Sequence, residues 1–360
     1  MIRCVPAGLL LILVGLSAQI PAVAEPYLAV QEGYKCNVCH VNPTGGGLRN
    51  TFGIQYAKLL LPAKPIAALD VWNGQLIDSV RLGGDLRAAW TRSSAPNTAS
   101  QSQFGLEQVR IYGDVAIIPD RLGVYVDEQV APNAAQNMEA YLRIGSTQGL
   151  YLKGGQFYLP FGWRLQDQTA FVREVSSISM TNPQQGIEVG CEHGGWSAQL
   201  DLTNVPAAGA GSKAGHQTTG QVVQVRPNWR WGAAASFTQS DVGNRRVGGI
   251  FAGLRTGPVA WLGEADLIHD EGFPGGRTLA AGLIEADWRM LKGHNLKGTV
   301  EYFDPDRRVR EDQRARYSVV YEFTPIPFLQ LRAGYRRYRG IPQSNSQNQR
   351  LSFVELHGYF

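Results

Sequence analysis

From about Asp78 to Phe360, apolar and polar positions alternate with period two. Val80, Leu82, Gly84, Leu86, Ala88 and Trp90 alternate with Arg81, Gly83, Asp85, Arg87 and Ala89. Val109, Ile111, Gly113, Val115 and Ile117 alternate with Arg110, Tyr112 and Asp114. Leu296, Gly298, Val300 and Tyr302 do so with Lys297, Thr299 and Glu301, and Leu329, Leu331, Ala333 and Tyr335 with Gln330, Arg332, Gly334 and Arg336. Successive side chains of a strand point to opposite faces, so each run predicts a strand with one apolar and one polar face. About sixteen such runs start near residues 79, 104, 122, 137, 149, 185, 195, 217, 229, 245, 258, 276, 294, 312, 327 and 348. Each is close to the ~10 residues that cross a membrane at a tilt.

A soluble sandwich would also alternate; the connections separate the two. Tight turns recur at Pro119-Asp120, Ser146-Thr147-Gln148, His193-Gly194, Pro227-Asn228, Thr256-Gly257-Pro258, Leu291-Lys292-Gly293 and Pro325-Ile326-Pro327. Most connections between them are longer and more polar, such as Ser93 to Gln103, Val205 to His216, Asp304 to Asp312 and Ile341 to Gln349. Short turns on one side and long loops on the other are the rhythm of an outer-membrane barrel. The predicted fold is all-β: an antiparallel transmembrane β-barrel of about sixteen strands, spanning residues 78–360. An even strand count puts both ends of the barrel on the short-turn side. The predicted location is the outer membrane of a Gram-negative bacterium, with N- and C-termini periplasmic.

The ends of the barrel and its aromatics agree. Phe360, Gly358, Leu356, Val354 and Ser352 share one face of a last strand, as in outer-membrane barrels that end in Phe. Trp196, Trp229, Trp231, Trp261, Trp288, Phe323 and Phe328 fall beside the short turns; Trp90, Phe303 and Tyr338 fall toward the long loops. Two such bands predict interfacial girdles.

Composition changes the picture little. The chain has 360 residues, 42 of them Gly, with 18% charged and a formal net charge of +4. That charge is too small to argue for nucleic acid, which is not expected as a partner, and no basic run appears. A mean hydropathy of −0.19 reads as soluble, but alternation halves the apparent hydrophobicity of a barrel strand. The inward positions carry both signs: Arg81, Arg87, Arg110, Arg143, Arg314, Arg316, Arg332 and Arg336 against Asp85, Asp114, Glu139, Glu188, Glu264, Asp266, Glu285, Glu301 and Glu322. The longest connection, Leu159 to Gln184, contains Pro160-Phe161-Gly162-Trp163 and then Arg164, Asp167, Arg173 and Glu174, which are candidate pore-constriction residues. In position it resembles the third external loop of sixteen-stranded porins, which folds inward.

The first 24 residues read as a secretory signal. Arg3 precedes an apolar run from about Leu9 to Leu16, and Ala22-Val23-Ala24 is a small-x-small cleavage site. Residues 25–77 are different from the barrel. They hold Cys36-Asn37-Val38-Cys39-His40, the C-x-x-C-H pattern of c-type haem attachment. Two thiols so spaced bond the two vinyl groups of one haem, and the adjacent imidazole reaches the iron. The alternatives are a disulfide, a redox dithiol or half a zinc site. A zinc ribbon needs a second Cys pair, and the mature chain has only Cys191 left. A thioredoxin-like dithiol needs a βαβ setting. Cys191 itself reads as a small apolar residue. Residues 54–61 predict a short helix ended by Pro62 and Pro65. No Met lies in this segment, so a distal iron ligand would come from Met138, Met180, Met290, His193, His216, His269, His294 or His357, or the iron would have an open site.

With its signal, one N-terminal C-x-x-C-H, a short linker and about sixteen strands to a terminal Phe, the chain resembles the fused outer-membrane monohaem cytochrome c–porins, including iron-oxidising ones. Cys36, Cys39 and His40 carry the match, followed by Pro43, Gly47 and Phe52. The resemblance implies one covalent haem c, with His40 as the metal ligand and the small N-terminal cytochrome segment in or at the barrel. It implies electron transfer across the outer membrane between an extracellular donor or acceptor and a periplasmic electron-transfer protein, with outer-membrane lipid as surroundings. An electron carrier is expected rather than an enzyme, with extracellular ferrous iron oxidation the one reaction in view. The alternative is a porin for small solutes whose N-terminal segment is a plug, sensor or structural anchor.

Overall fold

The computed structural model describes residues 25–66, 72–205 and 214–360. The signal segment predicted for residues 1–24 lies outside the described residues. Sixteen strands form the body: β1 (Val80–Ser94), β2 (Gln101–Ile118), β3 (Leu122–Ala131), β4 (Gln136–Gly145), β5 (Leu150–Phe157), β6 (Gln184–His193), β7 (Trp196–Val205) and β8 (Gly215–Val225) make the first half. The second half is β9 (Trp229–Ser240), β10 (Gly243–Thr256), β11 (Val259–Asp270), β12 (Arg277–Leu291), β13 (His294–Asp304), β14 (Arg314–Ile326), β15 (Leu329–Arg339) and β16 (Arg350–Tyr359). Each pairs antiparallel with its sequence neighbours, and β16 returns to β1 in the register Leu356↔Ala88 and Val354↔Trp90. The barrel is closed. A three-residue strand, Gln75–Ile77, hooks onto the start of β1.

The period-two pattern sets which side faces out. Ile111, Ile250, Ile284, Val300 and Val354 are exposed on the outer surface, while their neighbours Arg110, Phe251, Glu285, Glu301 and Glu355 are buried inside. Seven connections on one end are only two to four residues long. On the other end two connections are equally short, residues 132–135 between β3 and β4 and Asp241-Val242 between β9 and β10. The girdle expectation holds for Trp196, Trp229, Trp231, Trp261, Trp288 and Trp90, all exposed on the outside. It fails for Phe303 and Tyr338. Phe303 is buried in the lumen against Phe171, with ring centroids 5.7 Å apart, and Tyr338 lies beneath the inward guanidinium of Arg316. Both sit on the polar phase of their strands, where alternation outranks aromatic preference for an interface.

A sixteen-stranded barrel leaves a water-wide lumen unless something fills it. Here two pieces fill it: residues 25–66 and the long β5–β6 loop. One buried cluster joins Tyr27, Val30, Val41 and Leu48 of the first to Phe161, Trp163, Phe171 and Val172 of the second and to Tyr125, Leu262 and Phe303 of the wall. The N-terminal segment has two helices, α1 (Pro26–Glu32) and α2 (Thr51–Leu59). Pro26 at the start and left-handed Gly33 at the end bracket α1, and the chain there passes so close to Pro227 that a β-carbon on Gly33 would lie 2.7 Å from its carbonyl oxygen. Helix α2 begins three residues before the predicted 54, because the Asn50 side chain caps it by accepting from the Gly53 N–H at 2.9 Å.

Candidate functional site

Residues 25–66 enter the barrel at the short-turn end and are tied to it all round. The Gln31 amide donates to the Gly257 carbonyl (3.0 Å), the Asn37 amide to that of Thr147 (2.8 Å), and the Ala63 N–H to that of Thr324 (2.8 Å). Lys35 bridges to Glu192 at 2.7 Å, and Arg289 to Glu32 at 2.8 Å. Deeper in, Leu48 N–H donates to the Tyr125 hydroxyl (3.1 Å), and Asn42 bonds Glu139 and Lys153.

The Cys36-to-His40 stretch is a single tight turn. Cys36–Val38 is a short 3-10 helix, and the N–H groups of Cys39 (3.2 Å) and His40 (3.0 Å) both donate to the Cys36 carbonyl. Residues three and four apart on such a turn share a face, so both thiols and the imidazole are presented together. Asn50 fastens the turn to α2 by donating to the carbonyls of Asn37 (3.1 Å) and Val38 (3.0 Å). The close approach needs glycines: a β-carbon on Gly45 would lie 3.2 Å from the Cys36 sulfur, and one on Gly53 would lie 2.1 Å from the Cys39 carbonyl oxygen.

Cys36, Cys39 and His40 line one cavity, with about 1300 Å³ of free space counting its open mouth. Thr44, Gly45, Gly46, Arg49, Tyr56, Trp163, Arg164, Arg230, His357 and Tyr359 also line it. Both cysteines are free thiols. Burial pushes the Cys36 thiol up, and burial together with neighbouring Cys36 pushes Cys39 up to about 11. A redox dithiol has its nucleophilic sulfur lowered instead. Burial, with the Arg49 charge beside it, brings His40 down to about 3, so the imidazole is neutral, the form that binds a metal. Its Nδ1 is buried without a hydrogen-bond partner. Two thiols and a neutral imidazole on one turn beside a roomy cavity fit the donor set of a covalent haem c. Among the described residues, no group of three or more His, Cys, Asp or Glu side chains comes together that could hold a bare metal ion.

The long loop comes down on the other side of the cavity. It crosses the lumen from β5 to the facing wall, where its helix α3 (Phe171–Ser176) packs on β11, β12 and β13. Trp163 N–H donates to Glu264 at 2.9 Å, and its indole to the Gly263 carbonyl at 3.0 Å. Asp167 lies 2.8 Å from both Arg316 and Arg336. Arg173 pairs with Glu264, and Phe171 N–H donates to Glu301 at 2.8 Å. Arg164 reaches the N-terminal segment through the Thr44 hydroxyl at 2.5 Å. So Arg164, Asp167 and Arg173 all turn into the lumen, each docking the loop on different partners, while the Glu174 side chain is exposed.

No protein-family model and no curated protein matches the chain. Solved structures do. A loop L8 deletion mutant of OmpT, an outer membrane protein of Vibrio cholerae, aligns over 79% of this chain and 100% of its own, with a TM-score of 0.62 at 9% identity. An anion-selective porin from Comamonas acidovorans aligns over 78% and 99%, at 0.62 and 10%. Salmonella typhi OmpF, in complex with daunomycin, aligns over 78% and 97%, at 0.60 and 10%. The barrel resembles those of outer-membrane porins.

Of the distal-ligand candidates, His357 alone lines the cavity. Its two ring nitrogens face Gln330 (3.0 Å) and Asp85 (2.8 Å). Met138 and Met180 are buried together with Tyr158 instead, and His294 stacks on Phe323 at 4.5 Å. Two site residues escaped the sequence reading. Arg230 lies between Trp229 and Trp231, so alternation alone could have put it inside. Arg49 lies in irregular chain and left no periodic signal.

Proposed function

We propose that the chain is an outer-membrane electron-transfer protein: a porin-like barrel whose lumen holds a haem-bearing N-terminal segment. The observation that supports this best is the placement of Cys36, Cys39 and His40, which face one common cavity at the short-turn end of the barrel, lined also by the inward loop. The apolar outer face and the ring of exposed Trp residues suit lipid on the outside. Glu25 and Phe360 both lie at the short-turn end, which on this reading is the periplasmic one.

When bound, haem c supplies a one-electron centre between the two sides of a wall whose apolar band is about 25 Å tall. One electron would come from an extracellular reductant such as ferrous iron and leave to a periplasmic electron-transfer protein, or the reverse. The protein's own residues do the rest. Cys36 and Cys39 would anchor the haem and His40 would ligate it, and the packed cluster around Val30, Trp163 and Phe171 keeps bulk water from running through.

The second reading is a porin for small solutes whose N-terminal segment is a plug, sensor or anchor. The likeness to porins favours it directly and says nothing of a haem. A lumen filled by two docked segments fits its plug version and goes against a freely open pore. One preparation decides between them: the mature protein made in cells that assemble c-type cytochromes. Soret absorbance with little ion conductance in planar bilayers supports the electron conduit. Porin-scale conductance with no Soret band overturns it and leaves the pore.

A further inference from the structure

Buried cations in this lumen have carboxylate partners almost everywhere. Arg87 lies 3.0 Å from both Asp85 and Glu355, Arg332 lies 3.0 Å from Glu355, and Lys297 lies 3.6 Å from Glu322. Arg110 pairs with Asp127, and Arg316 with Glu301. Three arginines lining the Cys36 cavity differ: Arg230 is buried, and Arg49 and Arg164 are half-buried. Among the described residues, Arg49, Arg164 and Arg230 have no carboxylate within ion-pair distance. The Arg49 guanidinium lies 4.5 Å over the Tyr359 ring. Arg230, 4% exposed, donates to the carbonyls of Ala29 (2.8 Å) and Tyr34. Arg164 bonds the Thr44 hydroxyl and the Tyr158 carbonyl (3.1 Å), and its Nη1 is buried with no partner. Glu139, which Arg164 affects through space, is taken by Asn42 (3.2 Å) and the Tyr158 N–H (3.2 Å).

A guanidinium drawn out of water without a counter-charge is disfavoured, and one buried and two half-buried around one cavity, with Arg164 Nη1 unpartnered, call for an anion within it. The planar fork of Arg suits carboxylates best. We infer that Arg49, Arg164 and Arg230 form the seat for the two propionate carboxylates of the haem. This inference rests on the haem attachment proposed above. It assigns a further job to the inward loop: through Arg164, the loop completes the cofactor site as well as narrowing the lumen. Cations beside the propionates favour the reduced state of the centre, whose net charge is one unit more negative.

The test is redox titration of the full-length holoprotein and three variants, Arg164→Gln, Arg164→Lys and Arg230→Gln, each checked for covalent haem by its stain on denaturing gels. Each Gln variant should favour the ferric state at least about tenfold more, a drop of about 59 mV for one electron. Arg164→Lys should keep most of the wild-type potential. If Arg230→Gln does not assemble, since it also ties α1, Arg164→Gln decides alone. Haem present with unchanged potentials in the Gln variants overturns the inference and leaves the function reading intact. Equal shifts in the Gln and Lys variants also overturn it, because charge is then not the cause. Wild-type protein without covalent haem sinks the function reading itself, and this inference with it.

Discussion

The barrel wall and the segment inside it are held by different kinds of bond. Each wall strand has a backbone ladder on both sides, and β16 closes on β1, so the hydrogen-bonding of the wall is complete without the contents. Residues 25–66 have two short helices, and about forty residues cannot bury enough surface to fold alone. Their order comes from outside: side chains of Arg230, Arg255 and Arg289 and the carbonyls of Thr147, Gly257 and Thr324 hold them. The wall is therefore self-sufficient, and the plug is conditional on the wall and on whatever fills the cavity between plug and loop.

The sharpest way to break this comparison is to delete residues 25–66 after the signal. The barrel should still assemble and resist protease, and conductance in planar bilayers should rise from nearly closed to that of a sixteen-stranded pore narrowed by its loop. A barrel that fails to assemble would mean that the wall depends on its plug. Less drastic is Cys36→Ala with Cys39→Ala. Without covalent attachment, the segment should become protease-sensitive while barrel stability is unchanged. A segment as resistant as in the wild type would show that its ties to the wall suffice.

Docking of the long loop belongs with the wall rather than with the plug. Glu264→Ala removes the partner of Arg173 and the acceptor of the Trp163 N–H, and leaves Arg173 with Asp266 at 3.7 Å. Breaking one side of a buried ion pair costs about 3–5 kcal/mol. Denaturant unfolding in lipid should show a loss near the lower figure. A change under about 1 kcal/mol would mean that the loop is not docked this way. Smaller again is Asn50→Ala, which removes the cap of α2 and two bonds to the Cys36–Cys39 turn. Loss of a cap costs about 1 kcal/mol. It should appear as faster hydrogen exchange over residues 36–59 with none in the strands.

The same division explains what could be read from the sequence. The sixteen strands were legible because alternation is local and repeated, and the turn rhythm fixed their order. Arg87, Arg110, Glu285 and Glu301 could be placed inside by counting twos. The interior segments lack a period. Nothing in Pro26–Glu32 announces a helix except Pro26 at its start and Gly33 just past its end, and the start of α2 is set by the Asn50 cap rather than by apolar spacing. The Cys36-to-His40 motif was visible as chemistry, but its neighbours were not. Arg49, Arg164 and Arg230 come from three distant stretches that only barrel closure brings to one cavity. Phe303 and Tyr338 depart from the girdle because strand phase outranks residue type.

Glu174 gives the mildest test of this account. It shares a polar, charged loop with Arg164, Asp167 and Arg173, and by sequence the four are equivalent. Helix α3 separates them: it is one and a half turns long and packs Phe171, Val172 and Arg173 against the wall, which leaves position 174 facing away. Glu174→Ala should change stability by no more than about 0.5 kcal/mol and leave conductance and ion selectivity as in the wild type. A clear change in selectivity would place the Glu174 carboxylate at the narrowest point after all, with α3 turned about its axis, and the docking contacts of Arg173 and Phe171 would then have to be redrawn with it.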